Sequence, residues 1–98
     1  MDTRISLSRT GDLIINGYTE SPRIRDVFSK NTIEYYIQLS RFQVIKLLEV
    51  LASKYKYDQK SELPNFLEYS FFTNGKCNYF LNLLDSEDIR YNYQNWLN

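Results

Sequence analysis

The chain has 98 residues, enough for one domain, and 43% of them are hydrophobic, which excludes an intrinsically disordered protein. Twelve basic residues balance twelve acidic ones, so the net charge gives no general attraction to nucleic acid or to anionic lipid. No run approaches the roughly 20 apolar residues that span a bilayer, no signal peptide is evident, and the single cysteine, Cys77, favours a reducing compartment, so we expect a cytoplasmic protein without a membrane partner.

The first predicted element is a β-hairpin near the N-terminus. Ile5 and Leu7 alternate with polar residues, and the apolar residues 13–15 follow a short connection that contains Gly11. Glycine at that position suits the positive φ angle of a hairpin turn. Gly17 then predicts a bulge or a bend in the second strand.

The next segment allows two interpretations. Ser21 and Pro22 fit the N-cap and first position of a short helical turn that would run through Phe28. The alternative is an irregular edge segment.

A strand and a long helix are predicted to meet at Ser40. Apolar side chains alternate along Thr32–Leu39, which is the strand period, and the helical period begins directly afterwards and continues to Tyr57. The helix stripe consists of Val44, Leu47, Leu48, Leu51 and Tyr55. Ser40 and Gln43 fit a capping box, in which each side chain would bond to a free backbone amide of the first turn.

The second half of the chain is predicted to be helical throughout. Ser61 can cap a helix that has Pro64 in its first turn and ends at Asn74–Gly75. Its buried stripe consists of Leu63, Phe66, Leu67 and Phe71. A further helix is indicated by the spacing of Tyr79, Phe80, Leu83 and Leu84. Asp85–Ser86 would cap a last helix, whose core side would carry Ile89, Tyr93, Trp96 and Leu97.

Together these elements predict an α+β fold in a single domain over residues 1–98. A small antiparallel sheet of about three strands would pack against three to four helices, with the helices concentrated in the C-terminal half.

Catalytic chemistry finds little support. The chain contains no histidine, which removes the commonest general base and the commonest nitrogen ligand for metals. Its glycines are too far apart for a phosphate-binding loop. Cys77 could act as a nucleophile near a helix start, but a small buried hydrophobe explains it better. We predict a non-enzymatic protein without a cofactor or a metal.

The acidic residues Asp85, Glu87 and Asp88 form the only cluster dense enough to consider for a cation. Their position at a helix N-terminus explains them more simply, because carboxylates there are stabilised by the helix dipole.

Two surfaces could bind a partner. The segment Lys54–Lys60 interleaves tyrosines with cations, as in single-strand nucleic-acid binders. A small nucleic-acid-binding or regulatory module is therefore an alternative function, and its cations would be Arg23, Arg25, Lys54, Lys56 and Lys60. A solvated helix end explains the segment more simply, because the helix dipole favours lysines at a helix C-terminus.

The acidic C-terminal third offers the other surface. Residues 61–98 carry five acidic and two basic side chains. Acids and exposed aromatic or amide groups together suit a basic protein partner, since charge steers the encounter and aromatic rings supply contact area. The predicted partner-binding residues are Asp85, Glu87, Asp88, Tyr91, Asn92 and Asn95. A solvated helix face with ordinary tyrosine packing is the competing explanation.

In size, composition and layout the whole chain resembles the immunity proteins of bacterial contact-dependent growth inhibition, the CdiI type. The resemblance is to a short, histidine-poor, Tyr- and Asn-rich domain with strands followed by helices, and it lies in these whole-chain features rather than in a diagnostic motif. It implies an inhibitor that binds the toxin domain of its cognate effector, often a basic nuclease. A phage-encoded inhibitor of host defence is a variant that the sequence does not separate from immunity.

Overall fold

A four-stranded antiparallel sheet forms one layer of the fold, with helices against one of its faces. The computed structural model describes residues 3–20, 32–72 and 78–97. The strands are β1 (Thr3–Leu7), β2 (Leu13–Glu20), β3 (Thr32–Leu39) and β4 (Asn92–Leu97), and they lie side by side in chain order. The α+β class with an antiparallel sheet is confirmed, whereas the expected number of about three strands is one too low.

The N-terminal hairpin forms as predicted, with Leu7 opposite Leu13. Gly11 has a φ angle of +91° in the connecting turn, where its amide donates to the carbonyl of Ser8. Such a φ angle is accessible to glycine at little cost.

The bulge or bend predicted at Gly17 is wrong, because Gly17 pairs in unbroken register with both Thr3 and Tyr35. A Cβ atom there would lie 2.5 Å from Tyr35 Oη. Glycine instead lets the buried Tyr35 ring cross β2, and its hydroxyl reaches Thr3 Oγ1 at 3.2 Å.

Helix α1 spans Arg41–Tyr55, so its predicted beginning after Ser40 is confirmed and its end comes two residues early. The predicted capping box is wrong. Ser40 makes no side-chain capping bond, and Asp12 Oδ1 from the hairpin turn accepts from the amide of Arg41 at 3.0 Å. Gln43 Oε1 accepts instead from the amide of Arg90. Tertiary neighbours therefore supply the bonds that the local motif was expected to make.

The predicted helix after residue 60 forms in three consecutive types of turn. A 3₁₀ turn (Lys60–Glu62) leads into α2 (Leu63–Leu67), with Pro64 in its first turn, and a π-helical turn (Glu68–Phe72) follows. Leu63 and Leu67 are fully buried. The expectations for Ser21–Phe28, Asn74–Gly75 and Cys77 concern positions outside the described residues.

Helix α3 spans Asn78–Ser86, and the last helix predicted after it is wrong. Asp88 has a φ angle of +57°, and the amide of Ile89 donates to the carbonyl of Leu84, which ends α3 with a left-handed residue. The chain then forms β4 beside β3. Asparagine, tyrosine and tryptophan are weak helix formers, and the open edge of β3 offers backbone hydrogen bonds to residues 92–97.

The core lies between the inner face of the sheet and the helices. Inner-face residues such as Ile15, Ile37 and Leu39 are fully buried together with Leu47 and Leu51 of α1. Two residues of the predicted α1 stripe lie at the margin of the core: Leu48 is half-buried and Tyr55 is 45% exposed. The helices pack on the inner face of the sheet. Tyr18 and Trp96 lie on the opposite, outer face and are exposed.

Candidate functional site

An open depression of about 600 Å³ lies where α3, the connection to β4 and the beginning of α1 meet. Four of the six predicted partner-binding residues line it: Asp85, Asp88, Tyr91 and Asn92. Leu84 and Ile89 form its apolar part, and both belong to the buried core. Groups from α3, its C-terminal connection and β4 thus converge on one surface.

Asp85 and Tyr91 are coupled on one side of the depression. The Tyr91 hydroxyl donates to Asp85 Oδ1 at 2.8 Å. Partial burial of the ring, followed by the bond to Asp85 and its negative charge, raises the pKa of the Tyr91 phenol. The hydroxyl therefore stays protonated near neutral pH and holds the exposed carboxylate in place, while Asp85 Oδ2 faces no described donor.

Asp88 is held by its backbone rather than by its side chain. Its φ angle is +57°, and its carbonyl oxygen accepts from Lys46 Nζ at 3.4 Å. The amide of Arg90 donates to Gln43 Oε1 at 2.9 Å, which fixes the connection against α1. This support leaves the Asp88 carboxylate exposed at the rim.

Asn92 lies on the outer face of the sheet, at the start of β4. It pairs with Gln38 of β3, and both side chains line the depression. The depression is therefore continuous with the outer face.

The other two predicted residues lie elsewhere. Glu87 Oε2 is 2.5 Å from Lys54 Nζ, an ion pair that joins the turn after α3 to the end of α1. The hydrogen bond to Glu87 and the negative charge of Glu87 raise the pKa of the Lys54 ammonium group. Asn95 is exposed on β4, where its amide donates to the Tyr93 hydroxyl at 3.1 Å. The helical assignment had placed Tyr93 and Trp96 toward the core and Tyr91 toward solvent. In the strand Tyr93 and Trp96 are exposed, and Tyr91 packs against the core.

The structure also bears on a metal site at the acidic cluster and on nucleic-acid binding by the basic segment. Among residues 3–20, 32–72 and 78–97, no three acidic or cysteine side chains come together as a metal site. In the basic segment Lys54–Lys60, the Tyr57 ring stacks on Phe66 with 4.2 Å between ring centroids, and Lys54 is paired with Glu87. The pKa of the Tyr57 phenol is raised, mainly because the ring is partly buried and further because Glu62 and Asp58 are negatively charged.

Sequence reasoning missed several residues that line the depression. Gln38, Ser40 and Gln43 come from β3 and the start of α1, more than 40 positions before Asp85, and Arg90 comes from the connection. Gln43 was assigned to a local cap, so its role as a partner of Arg90 had no signal in the sequence. Only the packing of α1 beside the end of α3 brings these groups to the acidic residues.

Comparison with known proteins finds no matching family model, no similar curated protein and no similar solved structure. Within the part of the chain that the structure describes, the helices do not combine the length and the apolar character that a membrane crossing requires.

Proposed function

We propose that this protein is a non-enzymatic inhibitor of the immunity type, which acts in the cytoplasm by binding a basic toxin domain. The observation that carries the proposal is the convergence of Asp85, Asp88, Tyr91 and Asn92 on one open depression. The sequence predicts six partner-binding side chains on the assumption of a last helix. Four of the six lie together at the depression although residues 92–97 form a strand.

The depression offers the groups that a basic protein surface needs. The exposed carboxylates of Asp85 and Asp88 attract Lys and Arg side chains, and the amides of Gln38 and Asn92 supply further hydrogen-bonding groups. Leu84 and Ile89 lie beneath the depression but are 0% and 3% exposed, so contact with a partner falls to the polar groups above them.

Inhibition would follow from occlusion. The depression is anchored to the sheet through Asn92 and to α1 through the Gln43–Arg90 hydrogen bond, so its carboxylates are positioned before binding. A surface that is ordered in advance loses less conformational entropy on association. A partner whose active site is lined with cations would be covered without any chemical step on this chain.

The nucleic-acid alternative has less support. Its stacking would need Tyr55 and Tyr57, but Tyr57 is stacked on Phe66 and Tyr55 makes edge contacts with Phe66 and Phe71. Binding of a labelled single strand in a salt-sensitive manner at micromolar protein would restore that alternative.

The proposal predicts that a large secreted effector is encoded next to this chain, and the C-terminal domain of that effector is the partner for the test. We expect the two proteins to co-purify and cells that express this chain to survive the toxin domain. The double variant Asp85→Asn/Asp88→Asn should bind about tenfold more weakly, mainly through slower association at low salt. Asparagine keeps an acceptor for Tyr91 and tolerates the left-handed conformation at position 88.

The matched control is Glu49→Gln/Asp58→Asn, which removes two exposed negative charges away from the depression. It should bind like the parent. Absence of both co-purification and protection would overturn the immunity proposal. Equal weakening by both double variants would show that net charge, not the depression, controls binding.

A further inference from the structure

The outer face of the sheet carries a second organised group of side chains. Tyr18, Glu34 and Trp96 are direct neighbours across β2, β3 and β4. Tyr36 lies two positions beyond Glu34 on β3 and therefore on the same face. Tyr18 is 38% exposed and Trp96 is 43% exposed, so their rings border solvent. We name Tyr18, Glu34, Tyr36 and Trp96 the aromatic platform.

Hydrogen bonds hold the Glu34 carboxylate at the centre of this platform. Trp96 Nε1 donates to Glu34 Oε1 at 3.1 Å, and Asn16 Nδ2 donates to Glu34 Oε2 at 3.3 Å. The Asn16 amide is fixed in turn by the carbonyl of Tyr35 at 3.1 Å. The first bond holds the indole toward β3, and Trp96 remains 43% exposed.

The charge of Glu34 has no cationic partner among the described residues. Arg4 is the one cation on the described outer face. It lies two strands across the sheet and two residues along it from Glu34, which places the two Cα atoms roughly 12 Å apart. An ionised carboxylate has about four lone-pair sites, of which the two hydrogen bonds use two. Aromatic rings add negative electrostatic potential above their faces. The platform is therefore complementary to a cation.

We propose that the aromatic platform binds the guanidinium group of an arginine from the partner protein, an inference that rests on the proposed function for the source of that arginine. A guanidinium is planar, stacks on aromatic faces and pairs with a carboxylate through two parallel donors. The platform offers a tryptophan ring, two tyrosine rings and a fixed carboxylate on a pleated surface. An ammonium group can use the carboxylate but gains less from ring stacking.

The platform and the depression belong to one surface. Gln38 lines the depression and lies four residues along β3 from Glu34, which corresponds to roughly 13 Å. Asn92 and Trp96 have the same relation on β4. A partner seated over the depression and extending along these two strands reaches the platform, so both sites can bind cationic side chains of one protein.

Trp96 is the only tryptophan of the chain, so its fluorescence reports on the platform directly. The full chain is titrated with an acetylated and amidated peptide that contains two arginines separated by glycine, with the lysine peptide and with the citrulline peptide. Citrulline has the shape of arginine without its charge. We expect a saturable change in Trp96 emission with the arginine peptide, weaker binding of the lysine peptide and no binding of the citrulline peptide.

Two variants locate the binding. Glu34→Gln keeps an acceptor for the indole but removes the charge, and it should weaken binding of the arginine peptide about tenfold or more, as expected for a lost charge-assisted hydrogen bond. Tyr18→Leu should weaken it about two- to fivefold, the size of an exposed cation–π contact. Glu49→Gln on the solvent side of α1 is the matched control and should bind like the parent. Circular dichroism verifies that each variant is folded.

Equal affinities of the parent and Glu34→Gln, or of the arginine and lysine peptides, would overturn the proposal. A change in Trp96 emission with protein concentration alone would assign the platform to a second copy of this chain and overturn it as well. The proposed function fails separately: a platform that binds the arginine peptide in a chain that neither binds nor neutralises the toxin domain would leave the inference on the ligand class intact. Toxin binding that is unaffected by Glu34→Gln would show that the partner does not use the platform.

Discussion

Two neighbouring residues of β2, Ile14 and Ile15, lie on opposite faces of the sheet. Ile15 is completely buried against the helices, whereas Ile14 is half-buried on the outer face. The inner face is built mainly from aliphatic side chains, with the buried Tyr35 ring among them, and they meet the helices in the core. The outer face carries amides, tyrosines, Glu34 and Trp96, and the hydrogen bonds of Glu34 join Asn16 to Trp96.

The difference separates stability from binding within the same strands. Removing apolar surface from water stabilises the fold by about 25 cal/mol per Å², so the inner face supplies most of the folding free energy. The outer face retains its contact with solvent and is therefore free to present polar and aromatic groups to a partner. Substitutions on the two faces should consequently change different measurements.

The strongest test of this division uses the isoleucine pair. Ile15→Ala leaves a cavity in the core and should lower the free energy of unfolding by about 2 to 5 kcal/mol. Ile14→Ala removes the same atoms from the outer face and should cost clearly less. Urea denaturation of both variants measures the difference. Equal losses would show that the outer face is also a packed core.

A second test concerns Gly17, where the inner face needs the absence of a side chain. Gly17→Ala places a methyl group against the Tyr35 ring and should destabilise the protein by about 1 to 3 kcal/mol, the usual range for overpacking. Tyr35→Leu in the same chain should recover part of this loss, which a double-mutant cycle detects. A Gly17→Ala variant with parental stability would contradict the close crossing of β2 by Tyr35.

A third test concerns how α1 is attached above the inner face. Asp12→Ala removes the carboxylate that accepts from the Arg41 amide and should cost about 1 kcal/mol, as for other N-terminal caps. Ser40→Ala removes a hydroxyl that makes no capping bond and should change stability by about 0.5 kcal/mol or less. Thermal unfolding of the two variants compares them. The reverse order would restore the local capping box.

The smallest effect on stability is expected on the outer face. Glu34→Gln should alter the free energy of unfolding by about 0.5 kcal/mol or less, because the network lies at the surface. Its effect on Trp96 fluorescence in the presence of arginine should nevertheless be large. A strongly destabilised Glu34→Gln variant would mean that the Asn16–Glu34–Trp96 network stabilises the fold. The outer face would then contribute to stability as well as to binding.

Part of the candidate site could be predicted because acidic and aromatic residues are recognisable wherever the segment folds. Asp85, Asp88, Tyr91 and Asn92 were selected by composition, and they meet at one depression. Glu87 and Asn95 were selected by the same rule and lie apart from it, since a helix and a strand project their side chains at different intervals. Glu34 and Trp96 were not connected because 62 positions separate them in the chain.

By itself the sequence determined the elements whose periodicity is strong and local. The alternation in Thr32–Leu39 and the helical stripe after Ser40 specify β3 and the beginning of α1, because these patterns bury apolar side chains in only one kind of structure. The tertiary structure alone decided the conformation of residues 92–97 and the cap of α1. In both cases the competing local structures differ little in free energy, and groups of distant elements supply the hydrogen bonds that select one of them. These groups are the backbone at the edge of β3 and the side-chain carboxylate of Asp12.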